Sequence, residues 1–208
     1  MMSEELVGKV EQYIRESIQV KEALLSNAAR IAEIGRVLIN ALGSGRQVLV
    51  FGNGGSAADA QHIVAELVGR YRQERPPFKA LALTTNTSLL TAIANDYAFE
   101  DVFARHVEAF GQPGDVAIGI STSGNSQNVI AGIRVAKRMG LVTIGLTGQD
   151  GGQLRLLVDH WIGVPSRDTP RVQEAHILIG HILCDLIEEG LFNGEVDGVS
   201  GPGRGVES

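Results

Sequence analysis

The 208 residues predict an α/β protein, a three-layer sandwich with a five-stranded parallel sheet between helical layers. Three observations lead there. Five short apolar runs alternate with segments whose apolar residues recur every three or four positions, and parallel strands need such helical crossovers. The runs are apolar throughout instead of alternating, as befits strands covered on both faces. Two of them also lead into small, polar turns that open a helix, as ligand loops do in open α/β sheets.

In chain order, Glu4 to Ser26 and Asn27 to Leu42 read as two helices, with Gly43 and Gly45 as stop signals. The strands are Gln47–Phe51, Ala80–Thr84, Asp115–Ile120, Val142–Leu146 and His160–Val164. Helices are expected over Ala57–Tyr71, Ser88–Ala94, Glu100–Phe110 and Ser126–Met139, with a last one over Pro170–Phe192. Thr169 is placed to cap that last helix and Pro170 to occupy its first position. Residues 1–192 thus form one domain, with helices in 1–43 set before the sheet. Val10, Tyr13, Ile14, Ile18 and Val20 add apolar surface beyond what five strands need, which points to oligomerisation. The glycine-rich stretch 193–208 has almost no bulky apolar residues and is expected to be disordered.

A hydrophobic fraction of 44% fits a globular chain with a sizeable core. The net charge is −6 without a Lys/Arg cluster, so no direct nucleic-acid binding is expected. The longest clearly apolar run, Gly140–Leu146, is too short to span a bilayer, so no membrane association is expected either. The charged N-terminus lacks a signal-peptide core, and cytoplasm is the expected compartment. The single cysteine, Cys184, lies in an apolar helical pattern and reads as a buried structural thiol.

Chemistry concentrates in two turns and two helices. Ser121-Thr122-Ser123-Gly124-Asn125-Ser126 places four hydroxyls and a glycine where a strand ends and a helix begins. The free N–H groups of a helix start, at the positive end of its dipole, hold a phosphate without any cationic side chain. The plain alternative is a Ser/Thr turn with a serine cap. Gly52-Asn53-Gly54-Gly55-Ser56 is a second such turn; it has neither dinucleotide-fingerprint spacing nor a Walker lysine. On the following helix His62 and Glu66, at i and i+4, share a face with Cβ atoms about 5–6 Å apart, and Arg70 lies one turn on. Such a pair can ligate a metal or act as acid and base; otherwise it is an incidental polar pair on a solvated face. The last helix holds Gln173, Glu174, His176 and His181. Gln173 and His181 are separated by about 12 Å of helix rise, so they share a ligand only by leaning together or act in different sites. His176 and His106 read as hydrogen-bonded core residues, and His160 with Trp161 as strand-end packing.

The segments Phe51–Tyr71, Thr91–Asp96, Gly114–Ile130, Leu146–Gly152 and Arg171–Glu188 together resemble phosphoheptose isomerases, members of the sugar-isomerase (SIS) group with a flavodoxin-like sheet. STSGNS marks the group; its combination with NGGS, H-x-x-x-E and the Gln173–His181 spacing is far more specific. The resemblance implies conversion of sedoheptulose 7-phosphate to D-glycero-D-manno-heptose 7-phosphate, the entry to bacterial heptose for lipopolysaccharide. It implies that Ser121, Thr122, Ser123 and Ser126 hold phosphate, and that Asn53, Gly54, Gly55, Asn95 and Asp96 line the sugar site together with Glu66 and Gln173. It further implies one zinc per subunit on His62, Glu66, Gln173 and His181, and a homotetramer with sites where subunits meet.

Aldose–ketose isomerisation needs a base, an acid and stabilisation of an enediolate oxygen, and no redox cofactor. Glu66 is the base candidate and His181 the acid or ring-opening candidate, although zinc ligation by Glu66 competes with basicity. Two positions depart from the family pattern: Pro170 where some members carry Asp, and Asn86 where relatives often have Asp. The nearest alternative is a noncatalytic SIS protein that binds the replication initiator and regulates DNA replication. That relative lacks the glutamate and the distal histidine that this chain keeps as Glu66 and His181.

Overall fold

Strand residues one apart face opposite layers, and the sheet's composition obeys this throughout. The computed structural model describes residues 2–192, with side chains from residue 4; the tail expected at 193–208 lies outside the described residues. Strands β1 (Val48–Gly52), β2 (Ala80–Ala82), β3 (Val116–Ser121), β4 (Val142–Thr147) and β5 (His160–Gly163) form one parallel sheet in the order β2-β1-β3-β4-β5. The register aligns Val50 with both Ala82 and Ile118, Ile118 with Ile144, and Leu146 with Ile162.

On one face Val48, Val50, Ile118, Ile120 and Ile144 pack under α2 (Ala28–Gly43), α3 (Gly55–Val68) and α7 (Thr169–Phe192). On the other, Leu49, Phe51 and Ala117 pack under α4 (Thr87–Asp96), α5 (Val102–Phe110) and α6 (Gln127–Arg138). This is the expected three-layer sandwich. His176 is a core residue: its Nε2–H meets the Thr147 carbonyl at 3.1 Å, and burial pushes its pKa down to about 4, keeping the ring neutral. His106 donates from Nδ1 to Val102 O at 2.6 Å. His160 Nδ1 lies 3.3 Å from Glu33, and Trp161 donates to the Thr147 hydroxyl. Burial pushes the Cys184 thiol up to about 12, leaving it inert.

Several boundaries move for physical reasons. The first helix, α1, is Met2–Leu24, and a 3₁₀ turn at Leu25–Asn27 leads into α2. Helix α3 starts at Gly55, two residues before the expected Ala57, because Gly54 at φ 55° turns the chain at once. It also stops at Val68, so Tyr71 lies on the segment that follows, not in the helix. Thr169 is the first residue of α7 and not its cap; Pro170, lacking an N–H, still falls in the first turn where none is needed. Val20 packs against the core, whereas Leu6, Val7, Val10, Tyr13, Ile14 and Ile18 form a stripe on α1 with each residue 48–57% exposed. No helix of the described residues is long and apolar enough to cross a membrane.

Candidate active site

Strands β1 and β3 are neighbours, yet the helices that follow them, α3 and α6, lie on opposite faces. Strand order reverses there, and the crevice at the carboxyl ends of such a pair is where open α/β sheets bind ligands. Asn53, Gly54 and Gly55 leave β1 at this point, and Thr122 to Ser126 leave β3. Neither N-cap side chain closes its helix. On α3 Ser56 and Ala57 donate to the carbonyls of Asn53 and Gly54, and on α6 Val129 donates to Asn128 Oδ1, so the first N–H groups left open are those of Gly55 on α3 and of Gln127 and Asn128 on α6. The serine cap of the plain alternative is absent because the Ser126 hydroxyl pairs with Ser121 Oγ at 3.0 Å. The turn is closed by Gly124 N–H to Ser121 O at 2.9 Å, and Ser123 Oγ accepts from Asn125 N at 3.1 Å.

The loop is fastened from behind mostly by backbone, with one side chain, Asn125, whose Oδ1 accepts from Gln153 N at 3.1 Å. Gly148 N–H donates to Thr122 O at 2.9 Å and Leu154 N–H to Gly124 O at 3.0 Å. Gly124, at φ 67°, presses against the Gly151 carbonyl where a Cβ has no room. Asn53 is tied across the crevice to buried Asn128 by two reciprocal amide bonds of 2.8 and 2.9 Å. Asn128 was not legible as a site residue; its only signal is a polar side chain in an apolar stretch of α6.

A second cluster lies further along α3. His62 Nε2 is 3.1 Å from Glu66 Oε1, and His181 Nε2 is 3.3 Å from His62 Nε2. One ligand atom from each of the three residues lies within 4.8 Å of the others. Helices α3 and α7 run side by side in the same direction, and Gly180 admits Ile63 so closely that a Cβ would stand 2.7 Å from Ile63 Cγ1. That approach delivers His181 to His62. The His–Glu–His donor set suits a zinc-sized ion. The fourth expected ligand, Gln173, has its amide against Gly55 at the first turn of α3, the helix that carries His62 and Glu66. Asn95 and Asp96 are exposed in the last turn of α4, in the opposite layer from His62, and bond to each other at 2.8 Å. Arg70 lies beyond α3 and is exposed, with Glu74 at 3.9 Å.

Asp59, one turn before His62 on α3, is an unforeseen neighbour. Burial raises its carboxyl to about 6, against the opposing pull of His62, and its Oδ2 is buried without a hydrogen-bond partner. Its i, i+3 spacing to His62 was the available signal. Asn86, where the family pattern has Asp, accepts from Leu89 N at 3.0 Å and caps α4, a duty that needs no charge.

Residues 12–148 match the family model described as SIS domain. The phosphoheptose isomerase of Aquifex aeolicus is 53% identical over 185 residues, covering 88% of this chain and 97% of that one. That of Geobacter sulfurreducens is 53% identical over 188 residues, 90% of this chain and 100% of the relative. The solved phosphoheptose isomerase GmhA from Neisseria gonorrhoeae superposes with a TM-score of 0.84 at 41% identity, covering 88% of this chain and 99% of that one. Sequence, sheet order and helix placement therefore agree, and this chain belongs to the phosphoheptose isomerase family of SIS-domain proteins.

Proposed function

We propose that the protein converts sedoheptulose 7-phosphate to D-glycero-D-manno-heptose 7-phosphate in the cytoplasm, as the first step of bacterial heptose synthesis. The observation that carries this reading is one chain holding both an uncapped helix start in a hydroxyl-lined loop and an imidazole–carboxylate–imidazole cluster. Ser121, Thr122, Ser123 and Ser126, with the first N–H groups of α6, take the phosphate. Asn53, Gly54, Gly55, Asn95, Asp96 and Gln173 line the sugar. Glu66 removes a proton from C1 of the open ketose and returns it to C2 through an enediol, while His181 passes a proton to and from the oxygens. A zinc ion held by His62, Glu66, Gln173 and His181 supplies Lewis-acid polarisation of the carbonyl when bound.

The deciding experiment is turnover of sedoheptulose 7-phosphate by the purified chain; no turnover overturns the reading. Ser123→Ala with Ser126→Ala is expected to weaken phosphosugar binding by about 1–3 kcal/mol, the cost of losing hydrogen bonds to a charged group. Calorimetry checks this, and unchanged affinity places the phosphate elsewhere.

The exposed face of α1 fits the same reading. The α1 stripe is the largest run of exposed apolar side chains on any helix described, and contiguous apolar surface of this kind marks an interface. We propose a homotetramer with sites where subunits meet, which relieves the Asn95–Asp96 pair from reaching the His62 cluster within one chain. Light scattering is expected to report a tetramer, and deleting residues 1–26 to abolish assembly and activity together. A monodisperse monomer of the full chain overturns it.

A further inference from the structure

Catalytic and metal-binding imidazoles are ordinarily aimed by a hydrogen bond to their second ring nitrogen. His181 lacks one: among the described residues its Nε2 faces His62, and no side chain or carbonyl bonds its Nδ1. Instead the ring of Tyr71 lies stacked on it, centroids 5.5 Å apart and planes at 28°. Two clamps hold Tyr71 there. Its backbone N–H donates to Glu188 Oε1 at 2.9 Å, and the Arg72 guanidinium stands 5.4 Å from the ring centroid while Arg72 Nε reaches Asp185 at 3.3 Å. His181, Asp185 and Glu188 recur at i, i+4 and i+7, so one face of α7 presents the imidazole and both anchors of the residue that covers it.

The segment after α3 is built to the same end. Glu188 also accepts from the N–H groups of Arg72 and Gln73, each at 2.9 Å, and from Arg75 Nε at 2.9 Å. Arg75 Nη2 in turn donates to the Glu66 carbonyl at 2.7 Å and Nη1 to that of Leu67 at 2.9 Å, closing the end of the helix that carries Glu66. A single buried ion pair thus fixes the backbone of Glu66 and the backbone of Tyr71 together.

We propose that Tyr71 is a positioning residue for the isomerisation: its ring, clamped by Glu188 and Arg72, holds the His181 imidazole at the angle from which Nε2 meets His62 and Glu66. This rests on the reading that His181 acts in the reaction. The aromatic face, and not the phenol hydroxyl beside Arg72, is assigned the work. The test compares Tyr71→Leu with Tyr71→Phe in the full chain. Loss of a supporting residue behind a reacting group costs about 10–100-fold, so Tyr71→Leu should lower kcat by that factor and leave KM within about twofold. Tyr71→Phe should restore kcat to within about threefold of the parent, since the stacking face is kept.

Proton NMR of the His181 ring, assigned by its loss in His181→Gln, gives a readout independent of turnover. Stacking under an aromatic ring shifts the imidazole protons upfield; the shift should persist in Tyr71→Phe and vanish in Tyr71→Leu. The readout is made on the parent chain whether or not it isomerises the heptulose, which separates failure of the stacking from failure of the activity. Unmoved ring protons in Tyr71→Leu overturn the proposal. So does a kcat loss in Tyr71→Phe as large as in Tyr71→Leu, which assigns the work to the hydroxyl.

Discussion

Glu66→Gln is expected to lower kcat by about 10²–10⁴-fold, the range that a positioned general base contributes. The substitution keeps the length of the side chain and a hydrogen-bonding group opposite His62 Nε2, now at 3.1 Å, and removes only the basic carboxylate. Phosphosugar affinity should stay near that of the parent, because the hydroxyl loop and α6 N-terminus lie outside this cluster. His181→Gln should fall in the same range. Metal content measured beside kcat separates the two duties of Glu66. If the glutamate also ligates zinc, Glu66→Gln loses metal and a chelator reproduces the loss in the parent. Near-parental turnover in either variant removes that residue from the mechanism.

Glu188→Ala is expected to cost about 3–5 kcal/mol of folding stability, the penalty for stranding one member of a buried ion pair. Both side chains of the Arg75–Glu188 pair are 1% exposed. Removing the carboxylate leaves three backbone N–H groups and the Arg75 Nε–H without their acceptor, and the buried guanidinium without its counter-charge. Urea denaturation at fixed protein concentration measures it, since assembly links stability to concentration. A loss below about 1 kcal/mol, the value of an exposed pair, refutes the structural role. The carboxyl also carries a pH signature. Burial works to raise its pKa, but the three N–H donors and Arg75 outweigh burial and hold it below the usual carboxylate range. Its stabilisation is therefore complete above the ordinary carboxylate pKa and is lost as pH falls through the lowered value. Glu188→Gln should flatten that acid limb.

The sheet and its helices were legible because each is written locally. Continuous apolar runs such as Val48–Phe51 mark strands buried on both faces, and the i, i+4 spacing of His62 and Glu66 sufficed to pair them. Errors cluster where long-range contacts decide. Tyr71 was assigned to the helix because nothing nearby announces that Glu188, 117 residues later, captures its N–H. Glu188 itself offered a hint as a carboxylate in the apolar stretch after Cys184. His181 joined the cluster through the family resemblance alone, since no helical spacing links it to a residue 119 positions earlier. Gln173 is a similar case: its place in the expected ligand set came from resemblance, and no helical spacing announces that its amide lies against Gly55.

The backbone-to-backbone seam behind the Ser121–Ser126 loop constrains redesign. Gly124 and Gly152 face each other so tightly that the Cβ of either one would stand within 2.6 Å of the opposing backbone or closer. The scaffold of the loop is thus written in main chain and in Asn125, whose amide bonds Gln153 N and the Ser123 carbonyl, and its vocabulary in the outward side chains Thr122 and Ser123. The loop's outward chemistry can be varied at those two positions without touching the seam, whereas a single methyl group at the seam should displace the loop that carries the hydroxyls.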